Sequence, residues 1–167
     1  MIRLFYTLFI AASVLVLSFW VESDSIERTK KPVSHKINSN SPPSIQMFDA
    51  IVKYSKAYGV PEKYAFGVAY AENRYTGPMQ WDYVWKKSSA GALGPMQIMP
   101  KSAKIVWPNR KFTLEQLTND IDFNVETSMK ILRRFYDVHK DWKLALGAYN
   151  TGSPVINSYV RDVVSRY

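Results

Sequence analysis

One glutamate interrupts a run of apolar residues in the first half of the chain. The residues three, four and seven positions before Glu72 are Ala69, Val68 and Ala65. Because these positions share one face of an α-helix, the carboxylate continues an apolar stripe. Burial and the negative end of the helix dipole both disfavour its ionised form, so the sequence predicts a raised pKa for Glu72. A protonated acid near neutral pH suits cleavage of a glycosidic bond, whereas an exposed glutamate on a frayed helix end is the alternative interpretation.

The elements that must position this glutamate are helical. Apolar residues recur at helical spacing from Ile45 onward, and Pro61 is typical of the first position of the helix that carries Glu72. No segment has a convincing period-two pattern, although a short hairpin within residues 81–85 remains open. The sequence predicts a mainly α fold, a small helical domain. Its predicted boundaries include a helix that ends at Gly59, caps at Thr113 and Asp120, and a last helix that opens at Ser153–Pro154 with Val155, Ile156 and Tyr159 facing inward.

The amino-terminal third has a different character. Residues 4–21 form an almost wholly apolar run, so residues 1–22 are interpreted as a signal-anchor helix, with a cleaved signal peptide as the alternative. Residues 23–44 are polar and proline-containing, as in a flexible linker. The remaining residues, 45–167, form the predicted catalytic domain. We therefore expect the rest of the chain to leave the cytoplasm, either anchored to the membrane or exported after cleavage.

Composition limits the chemistry. A formal net charge of +8 and a pI near 9.6 favour an anionic partner, which is nucleic acid, acidic lipid or anionic cell-wall polymer. The chain has no cysteine and two histidines, His35 and His139, so neither a thiolate nor a histidine metal centre is expected. We expect no metal and no cofactor. Basic residues are scattered over several helices without a nucleic-acid-binding motif, so nucleic acid is not an expected partner.

Three short motifs stand in order along the chain: Ala71-Glu72-Asn73, then GALGPMQIMP at residues 91–100, then AYNTG at residues 148–152. Together they resemble the catalytic domain of the soluble lytic transglycosylases, within the lysozyme-like superfamily. The resemblance covers residues 45–167. It implies a lysozyme-like helical fold and a peptidoglycan lytic transglycosylase that leaves 1,6-anhydro-muramic ends and opens the cell wall locally. It further implies that peptidoglycan is the partner, in a setting such as secretion, conjugation or virion assembly.

The resemblance also implies roles for individual residues. Glu72 falls on the single catalytic glutamate, which donates a proton to the glycosidic oxygen and then takes one from the muramyl 6-hydroxyl. The residues that fall on substrate-binding positions are Ser88, Gln97, Met99, Tyr149 and Asn150.

The chain departs from the family pattern at several places. Asn73 stands where serine is usual, and Pro95 where leucine is usual. The interval between Glu72 and Ser88 is long, so residues 81–85 are interpreted as an aromatic insertion, and Ser89 competes with Ser88 for its role.

Two rival functions remain open. A hydrolase like goose-type lysozyme needs a second carboxylate, for which Asp82 is the candidate, since Asp120 is typical of a helix cap and Asp122 of a first-turn acid. A non-catalytic peptidoglycan-binding module is the other alternative.

Overall fold

Segments with apolar residues at helical spacing form most of the helices in the described part of the chain. The computed structural model describes residues 40–80 and 87–166, and the prediction of a mainly helical fold is confirmed for them. No β-strand forms within these ranges; isolated bridges join Leu93 to Lys87 and to Ile98. The helices are α1 (Pro43–Tyr58), α2 (Glu62–Asn73), α3 (Pro100–Val106), α4 (Leu114–Asn119), α5 (Ile121–His139), α6 (Trp142–Thr151) and α7 (Ser158–Ser165).

Most predicted helix ends are confirmed. Gly59 has a left-handed conformation (φ 62°) and ends α1. The Thr113 side chain accepts a hydrogen bond from the backbone N–H of Gln116, whose own side chain completes a capping box at α4. Asp120 caps α5 by accepting from the backbone N–H of Phe123. Local side-chain chemistry therefore decides where these helices begin and stop.

The predicted start of the last helix is wrong. Residues 153–157 are not helical, and α7 begins at Ser158, where the side chain of Asn157 accepts a hydrogen bond from the backbone N–H of Val160. Val155 and Ile156 are 46% and 51% exposed, not inward. The backbone of Val155 packs against Gly147, which leaves no room for a helical turn at this point.

The predicted anchor (residues 1–22) and nearly all of the predicted linker lie outside the described residues. The first helix of the described residues begins at Pro43, two residues before the predicted domain start at Ile45. Within residues 40–80 and 87–166, none of the helices has the length and apolar character that a membrane crossing requires.

Helix α5 lies at the centre of the helical domain. It packs against α1 on one side and α6 on another, and the short helices α3 and α4 also contact it. Its fully buried side chains, Val125, Met129 and Leu132, recur at helical spacing. Helix α7 instead packs against α2 and α6. Glu72 lies at the end of α2, and α7 is the helix that packs beside it.

A close approach between α2 and α7 depends on Gly67. A β-carbon at this position would lie 2.8 Å from Cγ1 and 2.9 Å from the backbone oxygen of Val163. Real β-carbon contacts are longer than this, so any larger residue would push α7 away. Gly67 therefore sets the distance at which side chains of α7 reach the end of α2.

One buried amide holds the glycine-rich loop in place. Asn124 on α5 is fully buried; its side chain donates to the backbone oxygens of Leu93 (3.0 Å) and Leu117 (2.7 Å) and accepts from the backbone N–H of Met96 (2.9 Å). Gly94 has a φ of +71° and passes so close that a β-carbon would clash with this amide. The loop thus obtains from one side chain the hydrogen bonds that a sheet would otherwise supply.

Two buried asparagines provide a matched test of the hydrogen bonds that Asn124 makes to the glycine-rich loop. Asn124→Ala leaves the buried N–H of Met96 without its acceptor and removes a donor from two backbone oxygens, one of which keeps a hydrogen bond from the N–H of Ile98. We therefore expect the free energy of unfolding to fall by about 2–4 kcal/mol. Asn73 is also buried, at 4% exposure, but neither polar atom of its amide has a partner. Asn73→Ala should therefore change stability by less than about 1 kcal/mol. Urea denaturation of both variants measures the difference, and equal losses would contradict the assignment.

Candidate active site

Glu72 lies in the last turn of α2, half-buried, as the sequence predicts. The three residues below it on the same helical face, Ala65, Val68 and Ala69, are all fully buried. The apolar stripe is therefore confirmed, while the raised pKa of Glu72 stays a prediction. The carboxylate oxygen Oε1 accepts a hydrogen bond of 2.7 Å from the hydroxyl of Tyr159 on α7.

Tyr159 is a site residue that the sequence analysis missed, because it was interpreted as part of the core. Burial raises the pKa of its phenol well above 10, and the nearby negative charge of Glu72 raises it further. The hydroxyl therefore remains a proton donor at every pH at which the protein is expected to work. Tyr159 lies 87 residues from Glu72 in sequence, so no local pattern connects the two.

Tyr149 is the second tyrosine near the acid, and its hydroxyl serves a different partner. It lies 2.7 Å from the backbone oxygen of Met96 and 2.9 Å from Oγ of Ser128, a fully buried residue of α5. A carbonyl oxygen cannot donate, so the phenol proton points to Met96 and Ser128 must donate to the phenol oxygen. Burial, followed by the charge of Glu72, raises the pKa of Tyr149, so this proton order persists. Tyr149 thus presents an oxygen lone pair rather than a proton to its surroundings.

Four of the predicted substrate-binding residues line one groove of about 290 Å³. Gln97, Met99, Tyr149 and Asn150 come together there from the glycine-rich loop and from α6. Met99 is 42% exposed, so it offers an apolar surface to a ligand rather than filling the core. The remaining lining side chains include polar and apolar groups contributed by Ser102, Thr151, Ile131 and Phe135.

Two residues of the groove are held by side-chain hydrogen bonds. Gln97 has a positive φ of 48°, and its Nε2 donates to the backbone oxygen of Gly94 at 2.9 Å. The amide oxygen of Asn150 accepts from Nδ2 of Asn157, the residue that caps α7. The groove wall is therefore tied to the helix that brings Tyr159 to Glu72.

Ser88 lies outside the residues that line this groove. Its Oγ accepts a hydrogen bond of 2.9 Å from the backbone N–H of Ala92, and the two backbones pair as well. The hydroxyl of Ser88 thus closes the turn that begins the glycine-rich loop. Its hydrogen is not used in that bond and is available to an acceptor.

The other carboxylates near the predicted catalytic domain have structural partners. Asp120 caps α5, and Asp122 accepts from the Tyr54 hydroxyl at 2.8 Å and from Nζ of Lys53 at 3.2 Å. These pairings confirm the two structural interpretations. Asp82 lies outside the described residues. Among residues 40–80 and 87–166, no group of three or more His, Asp or Glu side chains is placed to hold a metal ion.

Comparison with known proteins agrees with this geometry. The family model for the transglycosylase SLT domain matches residues 49–166. Among solved structures, the chain is similar to an inactive glutamate-to-glutamine mutant of lytic transglycosylase Slt from Pseudomonas aeruginosa, with 24% identity and a TM-score of 0.53 over 68% of this chain and 17% of that one.

The chain is also similar to the 70 kDa soluble lytic transglycosylase of Escherichia coli, with 23% identity and a TM-score of 0.54 over 71% of this chain and 19% of that one. A complex of a 70 kDa soluble lytic transglycosylase with bulgecin A matches at 24% identity, with a TM-score of 0.54 and the same coverage. The chain therefore matches about a fifth of each of these larger proteins and shares their fold in that part.

We expect different effects when each of the two tyrosines is changed to phenylalanine: Tyr159→Phe should affect the reaction rate, and Tyr149→Phe should affect the stability. In the role of acid that the sequence resemblance implies, Glu72 gives up its proton and the hydrogen bond from Tyr159 strengthens, so Tyr159→Phe should lower kcat by about tenfold or more. Because that bond favours the ionised carboxylate, its loss should also move the basic limb of the pH–rate profile to higher pH.

Tyr149→Phe removes a donor from Met96 and leaves the Ser128 hydroxyl unpaired in the core. We expect a loss of about 1–3 kcal/mol in the free energy of unfolding, with the basic limb unmoved. Denaturation curves and pH–rate profiles of both variants check the pair. Coincident profiles for the two variants would contradict the assigned proton directions.

Proposed function

Because the chain belongs to the transglycosylase SLT domain family, we propose that it is a peptidoglycan lytic transglycosylase. It cleaves the β-1,4 bond between N-acetylmuramic acid and N-acetylglucosamine without water and leaves a 1,6-anhydro end. The observation that carries the proposal is the setting of Glu72, a half-buried acid at a helix end, hydrogen-bonded to Tyr159 and close to the Tyr149 that lines the groove.

Glu72 performs both proton transfers in this mechanism. It first protonates the glycosidic oxygen while the bond from that oxygen to C1 of the muramyl residue breaks, and positive charge develops on the sugar ring. The carboxylate that results is stabilised by the hydrogen bond from Tyr159. It then takes the proton of the muramyl 6-hydroxyl as O6 bonds to C1. Glu72 ends protonated, and no water is consumed.

The groove supplies contacts of the kind that a glycan strand requires. Amide groups of Gln97 and Asn150 offer donors and acceptors to sugar hydroxyl and acetamido groups, and Met99 offers an apolar contact. The net positive charge of the chain favours association with a polymer that carries carboxylates. These features support peptidoglycan as the substrate rather than a neutral polysaccharide.

A single-acid mechanism is favoured over hydrolysis. Inverting or retaining hydrolysis needs a second carboxylate within about 5–9.5 Å of the first. The hydrogen bonds of Asp120 and Asp122 are those of a helix cap and of a pair with Tyr54, which supports structural roles for both. A hydrolase that uses Asp82 would add water to the cleaved bond, so the mass of the product distinguishes it from the proposed transglycosylase.

We place the enzyme in the cell envelope, with the catalytic domain in the periplasm and local wall opening as its task. The support is the apolar run at residues 4–21 and the polar segment that follows it. Such a tether would restrict cleavage to wall close to the membrane.

Digestion of purified peptidoglycan tests the proposed reaction. We expect muropeptides about 18 Da lighter than those of a hydrolase, since one water is missing from each product. Mass spectrometry measures the difference. Products of full hydrated mass would instead establish a hydrolase.

Glu72→Gln tests the proposed acid. We expect kcat to fall by about 10²–10⁴-fold, with binding to insoluble peptidoglycan retained. The matched control is Glu115→Gln, which changes an exposed glutamate in the first turn of α4. Release of soluble muropeptides gives the rates. Turnover of Glu72→Gln equal to that of the control would exclude Glu72 as the acid. Binding without muropeptide release by the wild-type protein would instead favour the binding module.

A further inference from the structure

A second concave site lies beside α2 and α7 and is not used by the mechanism above. It is a cleft of about 490 Å³ lined by Tyr70, Thr76, Asp162, Ser165 and Arg166. Tyr70 precedes Glu72 by two residues on α2, and the other helix, α7, is the one that carries Tyr159. The cleft is therefore built from the same two helices as the acid.

Two arginines share the aromatic ring in this cleft. The guanidinium carbon of Arg166 lies 3.4 Å from the ring centroid of Tyr70, which is a stacking distance, and that of Arg74 lies 5.2 Å from it. Stacking fixes a guanidinium plane and leaves its edge N–H donors free for a planar acceptor. The ring thus has one cation, Arg166, in the lining of the cleft and a second, Arg74, close to it outside that lining.

The two charged residues that line the cleft form an ion pair, and Arg74 lies beside them near the same ring. Asp162 pairs with Arg166, with 3.1 Å between Oδ1 and Nη2. Arg74 is exposed and forms no ion pair with any carboxylate of the described residues. One positive charge is therefore in excess. Together with the hydroxyl groups of Thr76 and Ser165, it makes the cleft suited to a carboxylate ligand.

We infer that this cleft binds a carboxylate of the peptide stem of peptidoglycan, outside the groove for the glycan. The inference rests on the proposed function, since the stem is attached to the muramyl residue whose bond Glu72 cleaves. Arg74 and Arg166 provide the charge, and Tyr70 holds them in place.

Distance supports a stem from the same muramyl residue. Arg166 follows the last residue of α7, seven residues after Tyr159, so the cleft lies roughly 10 Å along the helix direction from the partner of Glu72. An extended peptide spans about 3.3–3.6 Å per residue, so a stem of about four residues reaches roughly 13–14 Å. A stem that begins beside Glu72 is therefore long enough to bring a carboxylate to Arg166.

The test compares glycan strands that carry stems with the same strands after an amidase has removed them. For Arg74→Gln/Arg166→Gln, we expect kcat/KM on stem-bearing strands to fall about 5–20-fold, mostly through KM, and to stay within about twofold on stripped strands. The loss should shrink at high salt because the site is exposed. The matched control, Lys56→Gln/Lys111→Gln, removes the same charge from two exposed lysines and should change neither value.

A binding measurement with a stem peptide tests the cleft without requiring that the protein cleave a substrate. In Glu72→Gln protein, a soluble stem tetrapeptide with free carboxylates should shift the NMR signals of the Tyr70 ring and of Thr76, whereas its fully amidated form should not. If the wild-type enzyme cleaves neither substrate, the proposed function fails while this titration still reports on the cleft. Equal losses on both strands, no loss on either, or shifts with inorganic phosphate but not with the peptide would overturn the inference.

Discussion

The hydrogen bond between Tyr159 and Glu72 is the interaction on which the site depends. A carboxylate that continues an apolar helical stripe and lies at the negative end of a helix dipole is poorly solvated in its ionised form. Here a phenol from the last helix contacts it at 2.7 Å, and burial keeps that phenol protonated. The acid can therefore lose its proton next to a group that will not lose its own. Gly67 makes this contact feasible, because it allows α7 to approach α2 closely.

The groove beside the acid is held together without a β-sheet. Its loop has a single pair of backbone bridges, and buried side chains supply the rest of the support. Asn124 bonds to three backbone groups of the surrounding segments, and Tyr149 bonds to the oxygen of Met96. Since α5 contributes both Asn124 and Ser128, the most buried helix also orients the tyrosine at the groove. Stability and positioning thus depend on the same element.

Much of the positive charge has a structural use. Nζ of Lys130 lies 3.7 Å from the ring centroid of Trp107, and the guanidinium of Arg110 lies 4.3 Å from that of Phe123. Arg133 pairs with Asp137 one turn further along α5. Arg74 differs, because it lies 5.2 Å from the ring centroid of Tyr70 and has no carboxylate partner among the described residues. Net charge alone therefore does not locate the surface that binds an anionic partner, and the contacts of each cation describe that surface better.

The sequence by itself determined the helical class, most helix ends and the family. These follow from local physics: apolar spacing, a left-handed glycine at position 59, and capping side chains such as Thr113 and Asp120 each act within a few residues. The motifs that carry the resemblance are also local. The start of the last helix escaped prediction because Ser153–Pro154 has the local signature of a helix start, while the close packing of Val155 on Gly147 prevents one.

Only the tertiary structure decided which groups meet. Tyr159 has a core-like spacing in sequence, and its contact with Glu72 spans 87 residues. The proton direction of Tyr149 depends on Met96 and Ser128, which come from a loop and another helix. The cleft at Tyr70 needs side chains from both α2 and α7. Contacts of this kind depend on the distance between packed helices, and the periodicity of residues along the chain does not predict that distance.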